Sequence, residues 1–502
     1  MKNIILLGAV LINVYAQCQE SPSSIVIDPS TTYQRIDNFA ASDAWACQFV
    51  GNWPDEKKNV IADWLFSMDT LSNGNPKGIG LTMWRYNIGA GSASQADDSG
   101  IKDEWRRAAS FTNNANLQDE RLRGQSWFLQ AAKKRGVQQF LGFFNSPPVN
   151  LTTTGRAFAR DGICNIDGGR YKDFAAYAIK AIHQIEKTDG VTLNYISPVN
   201  EPQWDWSDGG QEGCPYNNQE INTLVKIFNQ EFIKNKLTTK LLIPEAGHLK
   251  YFQTNSDKPG KDNQVNVFFN SLSPHFVGDL PSVHRSIALH SYFSTSPYDS
   301  AVVLRTQLRD SIAAIKGLEF WQTEYCILGD NAGEIDGNKK DLSMNAALYV
   351  SRVIHQDLSI ANATAWQWWL AVSPYDYKDG LIYIDKNKTD GDYHDSKILW
   401  ALGNYSRFVR PGMKRIETKS NSKDLLVSAF KDMNSNQVVM VIVNSSATEK
   451  PVAIKKGKAF SSEDNMIVTY TTDASRNLKK NTIKTSGLVV PPRSVVSVIL
   501  DR

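Results

Sequence analysis

Two glutamates stand where acid–base and nucleophilic chemistry can be done. Glu201 closes the run Ile196-Ser197-Pro198-Val199-Asn200-Glu201-Pro202, a short apolar stretch stopped by proline and followed at once by Gln203-Trp204-Asp205-Trp206. A strand that ends on a carboxylate beside tryptophans sets an ionisable acid at the rim of a cleft, with aromatic faces next to it. Glu324 closes a second β-prone run, Leu318-Glu319-Phe320-Trp321-Gln322-Thr323-Glu324-Tyr325. Cleaving a glycosidic bond takes one carboxylic acid to protonate the leaving oxygen and a second carboxylate across the sugar ring. The pair suits sugar chemistry. Asn-Glu-Pro is common by chance, so the assignment depends on the elements that carry the two acids.

Those elements repeat. From Ile36 onward, short β-prone runs alternate with amphipathic helices: residues 36–42, 81–88, 140–145, 195–200, 241–245, 286–292, 319–324 and 363–369. Between them Phe174, Ala178, Ile182 and Ile185 share one helical face, as do Ile221, Leu224, Val225, Phe228 and Phe232, and then Leu304, Leu308, Ile312 and Ile315. Eight strands with helices between them predict an α/β fold, a (β/α)8 TIM barrel, whose chemistry sits at the C-terminal strand ends. Those ends carry Asp43 and Trp45, Arg85 and Asn87, Asn145, Asn200 with Glu201, Glu245, His290 with Tyr292, Glu324, and Gln367 with Trp368 and Trp369. Glu245 is a substrate contact or a buried hydrogen-bonding group. Of Trp368 and Trp369 one faces the core, because neighbouring strand residues point to opposite sides.

Beyond Leu402 short β-prone runs at 425–430, 438–444, 466–470 and 488–500 alternate with polar turns and leave no room for helices. They predict a small C-terminal β-sandwich. The isolated run Ile25-Val26-Ile27 needs partners and is expected to complete it. The organisation is then an export signal at 1–16, an N-terminal strand segment at 17–35, the barrel at 36–402 and the sandwich at 403–502.

Composition limits the alternatives. With 41% hydrophobic and 21% charged residues the chain is ordinary globular protein, and a net charge of +3 gives no electrostatic case for nucleic acid. Lys2, the apolar stretch from Ile4 to Ile12 and Val14-Tyr15-Ala16 read as a cleaved signal, so the mature chain is expected to be secreted or periplasmic with no membrane span. Lipidation at Cys18 is less favoured because Gln17 fits such a site poorly. The cysteines at 18, 47, 164, 214 and 326 form no metal-ligand spacing, and in an oxidising compartment Cys164 and Cys214 can pair. Sequons at Asn150, Asn362, Asn387, Asn404 and Asn444 are taken as chance. There is no HExxH, GxSxG or P-loop motif. Thirteen tryptophans are the one bias. Trp45, Trp204, Trp206, Trp368 and Trp369 are candidates to stack on pyranose rings or to pack the core.

Together, Arg85, Asn200-Glu201-Pro202, His290-Ser291-Tyr292, Thr323-Glu324-Tyr325 and the sandwich completed by an N-terminal strand resemble glycoside hydrolase family 30 over nearly the whole mature chain. Within it the chain is most similar to the endo-β-1,6-galactanase-like branch. The resemblance implies a retaining hydrolase with Glu201 as general acid/base and Glu324 as nucleophile, their carboxyls about 5 to 5.5 Å apart. Arg85 and Tyr292 would keep Glu324 ionised, and Asn200 would donate to the hydroxyl beside the anomeric carbon. Polysaccharide or oligosaccharide is the implied partner, with no cofactor and no metal. Glucuronoxylan, β-1,6-glucan or a short β-glycoside are alternative substrates. Glucuronoxylan ranks lower because Ser373-Pro374-Tyr375-Asp376-Tyr377-Lys378 offers no arginine. A non-catalytic carbohydrate-binding protein is the rival from another class, and the presence of both carboxylates argues against it.

Overall fold

The computed structural model describes residues 22–111, 119–456 and 465–500. The expected signal and Cys18 lie outside the described residues. The chain opens with β1 (Ser23–Arg35) and then enters β2 (Asn38–Ser42), β3 (Met83–Asn87), β4 (Gln139–Phe143), β5 (Tyr195–Ser197), β6 (Lys240–Ala246), β7 (Val283–His290), β8 (Glu319–Glu324) and β9 (Ala365–Ser373). From β2 to β9 each strand pairs in parallel with the next, and β9 pairs in parallel with β2. The eight close into a TIM barrel, as the alternation of runs predicts.

One residue from nearly every strand fills the inside. Ala40, Met83, Leu141, Leu242, Ala288, Trp321 and Ala365 form one buried cluster, with Tyr195 packed against it. Three alanines make room for Trp321, so small and large side chains share the taper. Because side chains alternate along a strand, the residues two positions on also point inward, at the mouth. These are Ser42, Arg85, Phe143, Ser197, His290, Thr323 and Gln367, all 0% exposed. The outward residues meet the helices. Phe174, Ala178, Ile182 and Ile185 are buried on the helix Tyr171–Asp189, and Ile221, Leu224, Val225, Phe228 and Phe232 on Asn218–Lys234.

Two boundaries depart from the sequence expectation. The run expected over 195–200 stops pairing at Ser197, because Pro198 has no N–H for the ladder. The last barrel strand continues to Ser373, where β10 (Gly380–Ile384) pairs with it, followed by β11 (Tyr393–Asp395). The sequence reading missed both. β11 is only Tyr-His-Asp and carries no apolar pattern.

The second sheet holds β12 (Lys414–Ser420), β13 (Leu425–Lys431), β14 (Val438–Asn444), β15 (Lys450–Lys456), β16 (Met466–Thr472), β17 (Lys479–Lys484), β18 (Val489–Val490) and β19 (Ser494–Leu500). Its order is β17-β16-β19-β14-β13-β12-β1-β15-β18. The orphan strand is longer than three residues. It pairs antiparallel with β12 and parallel with β15, and it bulges between Asp28 and Thr32. Side chains from both ends of the sheet, Val452 and Ile467 among them, meet around Ile25, Ile27, Met440, Ile442 and Val498 in one core. The other face, with Val439, Val441, Val443 and Val495, joins the core of the barrel. β14 is buried on both faces, which is why it reads as an unbroken apolar run. Asn404, on the helix Lys397–Ser406, donates to Tyr470 C=O at 2.9 Å and to Ser497 Oγ at 2.8 Å across the junction. Among the described residues no helix is long and apolar enough to cross a membrane.

Candidate active site

At the C-terminal mouth of the barrel, seven of the predicted residues lie together in two hydrogen-bonded groups, joined by ion pairs of His290 with Glu324 at 3.7 Å and of Arg85 with Glu245 at 4.0 Å. Arg85 Nη1 donates to Glu324 Oε2 and Arg85 Nη2 donates to Asn200 Oδ1 at 3.2 Å. Tyr292 donates to the other oxygen of Glu324 at 2.9 Å. His290 Nδ1 lies 3.0 Å from Glu201 Oε1 and Nε2 lies 3.0 Å from Glu245 Oε2. An oxygen of Glu201, an oxygen of Glu324 and a ring nitrogen of His290 all fall within 4.8 Å of one another. The two carboxylates therefore face each other across a gap of one reacting centre.

The backbone holds the acid in an unusual conformation. Glu201 has φ +44° and Glu245 φ +57°, both in the left-handed region that costs a side-chain-bearing residue. The turn is fixed from several sides. Glu201 N–H donates to Glu245 C=O at 2.8 Å, and Glu201 C=O accepts from Trp204 N–H at 3.2 Å and from the Trp206 indole at 3.0 Å. Gly247 packs against the same point. A Cβ there would lie 2.4 Å from Trp204 Nε1 and 3.0 Å from Glu201 Oε1, so only glycine lets the indole sit beside the acid.

Charge follows from this packing. Burial works against a charged His290, but Glu324 and the hydrogen bonds to Glu201 and Glu245 overcome it and lift the imidazole to about 9. His290 is thus an imidazolium donating from both nitrogens. Burial also pushes up the carboxyl of Glu245, yet the bond from His290 and the charge of Arg85 more than offset it and leave Glu245 below its ordinary value. Ser197 and Thr323 hydroxyls donate to it as well. Of the two sequence readings for Glu245, the buried hydrogen-bonding group is the one realised. Burial raises Glu324, with His290 and Arg85 pulling it back. Glu201, His290 and Glu324 have metal-ligand chemistry and proximity. Arg85 already supplies positive charge to this cluster through its bond to Glu324.

Beside this network stands an aromatic wall. Arg85 lies over the Phe143 ring, 3.7 Å from its centroid. Trp369 meets Phe143 edge-on at 6.2 Å, and Trp45 meets Trp369 at 5.4 Å and Tyr375 at 6.4 Å. Trp45 Nε1 and both amide atoms of Asn145 are buried without a protein hydrogen-bond partner. Trp204 is half-buried opposite, edge-on to the exposed ring of Phe293 at 6.4 Å.

Three predicted substrate contacts are placed differently. Trp368 is fully buried, stacks on Trp366 and donates its indole N–H to Asp379 C=O at 2.7 Å, so it is the member of the pair that faces the core. Asp43 is buried too. It accepts from Asn87 N–H at 2.7 Å and from Gln125 at 3.1 Å, and burial lifts its carboxyl to about 7, so it is a strut between the mouth ends of β2 and β3. Trp206 clamps the Glu201 turn and covers Gly213, where a Cβ would come within 2.4 Å of the ring.

Other residues were not legible as site residues. Arg106 lies over Tyr375 at 5.0 Å and over Trp45 at 5.3 Å, and Lys386 lies over Tyr375 at 5.0 Å. Both come from loops distant in sequence, and no local pattern announces them. Glu212 is fully buried and accepts from Ala90 N–H at 2.9 Å and Ser92 N–H at 3.3 Å, tying the loop after β3 to the loop after the acid.

The fold and this mouth have counterparts. Residues 22–383 match the family model described as O-glycosyl hydrolase family 30, and residues 412–498 match the glycosyl hydrolase family 30 beta sandwich domain. The chain is 23% identical over 461 residues to an endo-beta-1,6-galactanase of Hypocrea rufa, covering 88% of this chain and 85% of that one. It is 26% identical over 387 residues to a glucuronoxylanase of Bacillus subtilis, covering 74% and 76%. A conserved exported protein from Bacteroides fragilis has a crystal structure that superposes with a TM-score of 0.87 at 33% identity, over 95% of this chain and 100% of that one. The chain belongs to glycoside hydrolase family 30 and is a glycosidase.

Proposed function

We propose that this glycosidase is an exported endo-β-1,6-galactanase that hydrolyses its polymer with retention, Glu324 being the nucleophile and Glu201 the acid/base. The observation that carries the mechanism is the approach of the two carboxylates within 4.8 Å, since an inverting pair stands further apart to admit a water between them. Both oxygens of Glu324 already accept hydrogen bonds, from Arg85 and Tyr292, which suits an ionised nucleophile with a fixed line of attack. Glu324 attacks the anomeric carbon while Glu201 delivers its proton to the glycosidic oxygen, and the bond to the leaving sugar breaks. Glu201 is then a carboxylate, and the imidazolium of His290 beside it compensates the new charge. Water next attacks the glycosyl–Glu324 ester, giving its proton to Glu201 and restoring both groups. Asn200, its carbonyl oxygen held by Arg85, is left with its amide N–H groups to donate to the neighbouring hydroxyl.

For the substrate, the support is the end-to-end similarity to the galactanase of Hypocrea rufa. One observation favours glucuronoxylan as a second reading. The arginine that the segment 373–378 lacks is brought to Tyr375 by Arg106, and Lys386 lies over the same ring. Export is supported by the similarity to the exported Bacteroides protein. Product profiling on β-1,6-galactan, arabinogalactan, glucuronoxylan and β-1,6-glucan, with Glu324→Ala as the blank, tests the proposal. Short β-1,6-galactooligosaccharides released only by the wild type are expected. Release from glucuronoxylan alone would replace the substrate, and undiminished activity in the variant would remove Glu324 from its role.

A further inference from the structure

Cys164 and Cys214 are 50 positions apart in sequence and neighbours in space. The Cys164 thiol donates to Ile166 C=O and the Cys214 thiol to Pro215 C=O, both at 3.6 Å, and Cys214 is near enough to raise the Cys164 thiol. Asn165, the residue after Cys164, donates its N–H to Cys214 Sγ at 3.3 Å. Tyr171 and Tyr216 flank both sulfurs. The segment holding Cys164 is itself fixed. Thr152 bridges Ile166, and the Asn165 amide donates to the carbonyls of Arg156 and Phe158, both at 2.9 Å. Neither cysteine belongs to the hydrogen-bonded network at the barrel mouth, and Cys47 and Cys326 are buried separately from them.

We infer that Cys164 and Cys214 are joined by a disulfide in the exported protein, and that this bond staples the loop after β4 to the loop that follows Glu201. Two thiols held in contact by their surroundings satisfy the proximity a disulfide needs, and an oxidising compartment supplies the driving force. The oxidant is a disulfide-exchange protein or small disulfide. The sulfur of Cys164, the more accessible of the two, attacks it, forming a mixed disulfide and releasing one thiol. Cys214 then displaces the second thiol. Two protein thiols become one disulfide, and the oxidant's disulfide becomes two thiols. The neighbouring Cys214 thiol, and then burial, raise Cys164 in the folded chain, so exchange proceeds before these loops close over it. The bond bears on the mouth because Cys214 follows Gly213, which lies under the Trp206 ring, and Trp206 holds the carbonyl of Glu201. Glu212, one residue further back, ties the loop after β3 to the same segment.

The test is peptide mapping of the full chain exported through an oxidising compartment, denatured and alkylated without reduction. A linked peptide pair two hydrogens lighter than its separate members is expected, with Cys47 and Cys326 alkylated. Alkylation of Cys164 and Cys214 in that unreduced sample overturns the inference. A cysteine variant can fail to fold, so stapling is read on the wild type: its melting temperature is expected to fall by several degrees in reductant. A mapped bond with an unchanged melting temperature contradicts the staple. The map is independent of the proposed substrate and of the roles of Glu201 and Glu324, so either conclusion can fail alone.

Discussion

His290 joins the most groups at the barrel mouth. It bridges Glu201 and Glu245 at 3.0 Å on either side and stands 3.7 Å from Glu324. Its folded value of about 9 lies above the ordinary 6.5, so the imidazolium's contribution to stability is complete below pH 6.5 and is lost as pH rises through about 9. Asp43 and Glu212, both lifted to about 7 by burial, act lower: their contributions are present below the usual carboxylate range and are lost by about pH 7. The melting temperature is therefore expected to fall between pH 7 and 9, and His290→Gln to flatten that fall. An equal slope in the variant, followed by differential scanning fluorimetry across pH, contradicts the assignment. In sequence, His290 was legible as a polar residue at a strand end and as part of the motif His290-Ser291-Tyr292. That it is fully charged depends on three acids contributed by three other strands, which no local pattern contains. Arg85 was legible from strand period, whereas Asn200, Glu201, Tyr292 and Glu324 were legible as polar residues closing β-prone runs and from the family resemblance their motifs carry. Asp43 shares that position, but its oxygens are taken by Asn87 and Gln125, and a strand-end position does not reveal such partners.

At the scale of elements, the mouth is braced from behind. Asp357, on the helix Met344–Ser359, pairs with Arg305 of the helix Tyr298–Ala313 at 2.7 Å and accepts from Trp366 of β9 at 2.9 Å and from Ser291, next to His290, at 3.2 Å. Both charged side chains are fully buried. Removing one partner of such a pair strands the other, at a cost of about 3–5 kcal/mol. Asp357→Ala is expected to lower the urea midpoint by that amount of free energy, and a change under about 1 kcal/mol contradicts a closed pair. Of these two helices, Tyr298–Ala313 was legible from the apolar spacing of Leu304, Leu308 and Ile312. The pair was not, because one arginine and one aspartate on separate helices look like surface charges until the fold brings them together. Strand ends were the least legible feature, since Pro198 cuts β5 short while β9 runs on to support β10.

The whole molecule is closed by its first described strand. β1 lies between β12 and β15 and carries Ile25 and Ile27 into the sandwich core, so the barrel is flanked by chain from both of its ends. A chain beginning at Ile36 is expected to expose the edges of β12 and β15 and to elute as aggregate in size exclusion, whereas a monodisperse product of unchanged melting temperature contradicts the role given to β1. The sandwich was legible from runs such as β14. Strands β12, β15 and β17 were missed because lysine-rich sequence hides them, and the run expected over 488–500 divides into β18 and β19. What joins these scales is the opposition of Glu201 and Glu324 across the mouth, and the stereochemistry of the reaction reports on it directly. Proton NMR of the first product released from a β-linked substrate, recorded before mutarotation, is expected to show the β-anomer. First appearance of the α-anomer contradicts a nucleophilic Glu324 and the double displacement built on it.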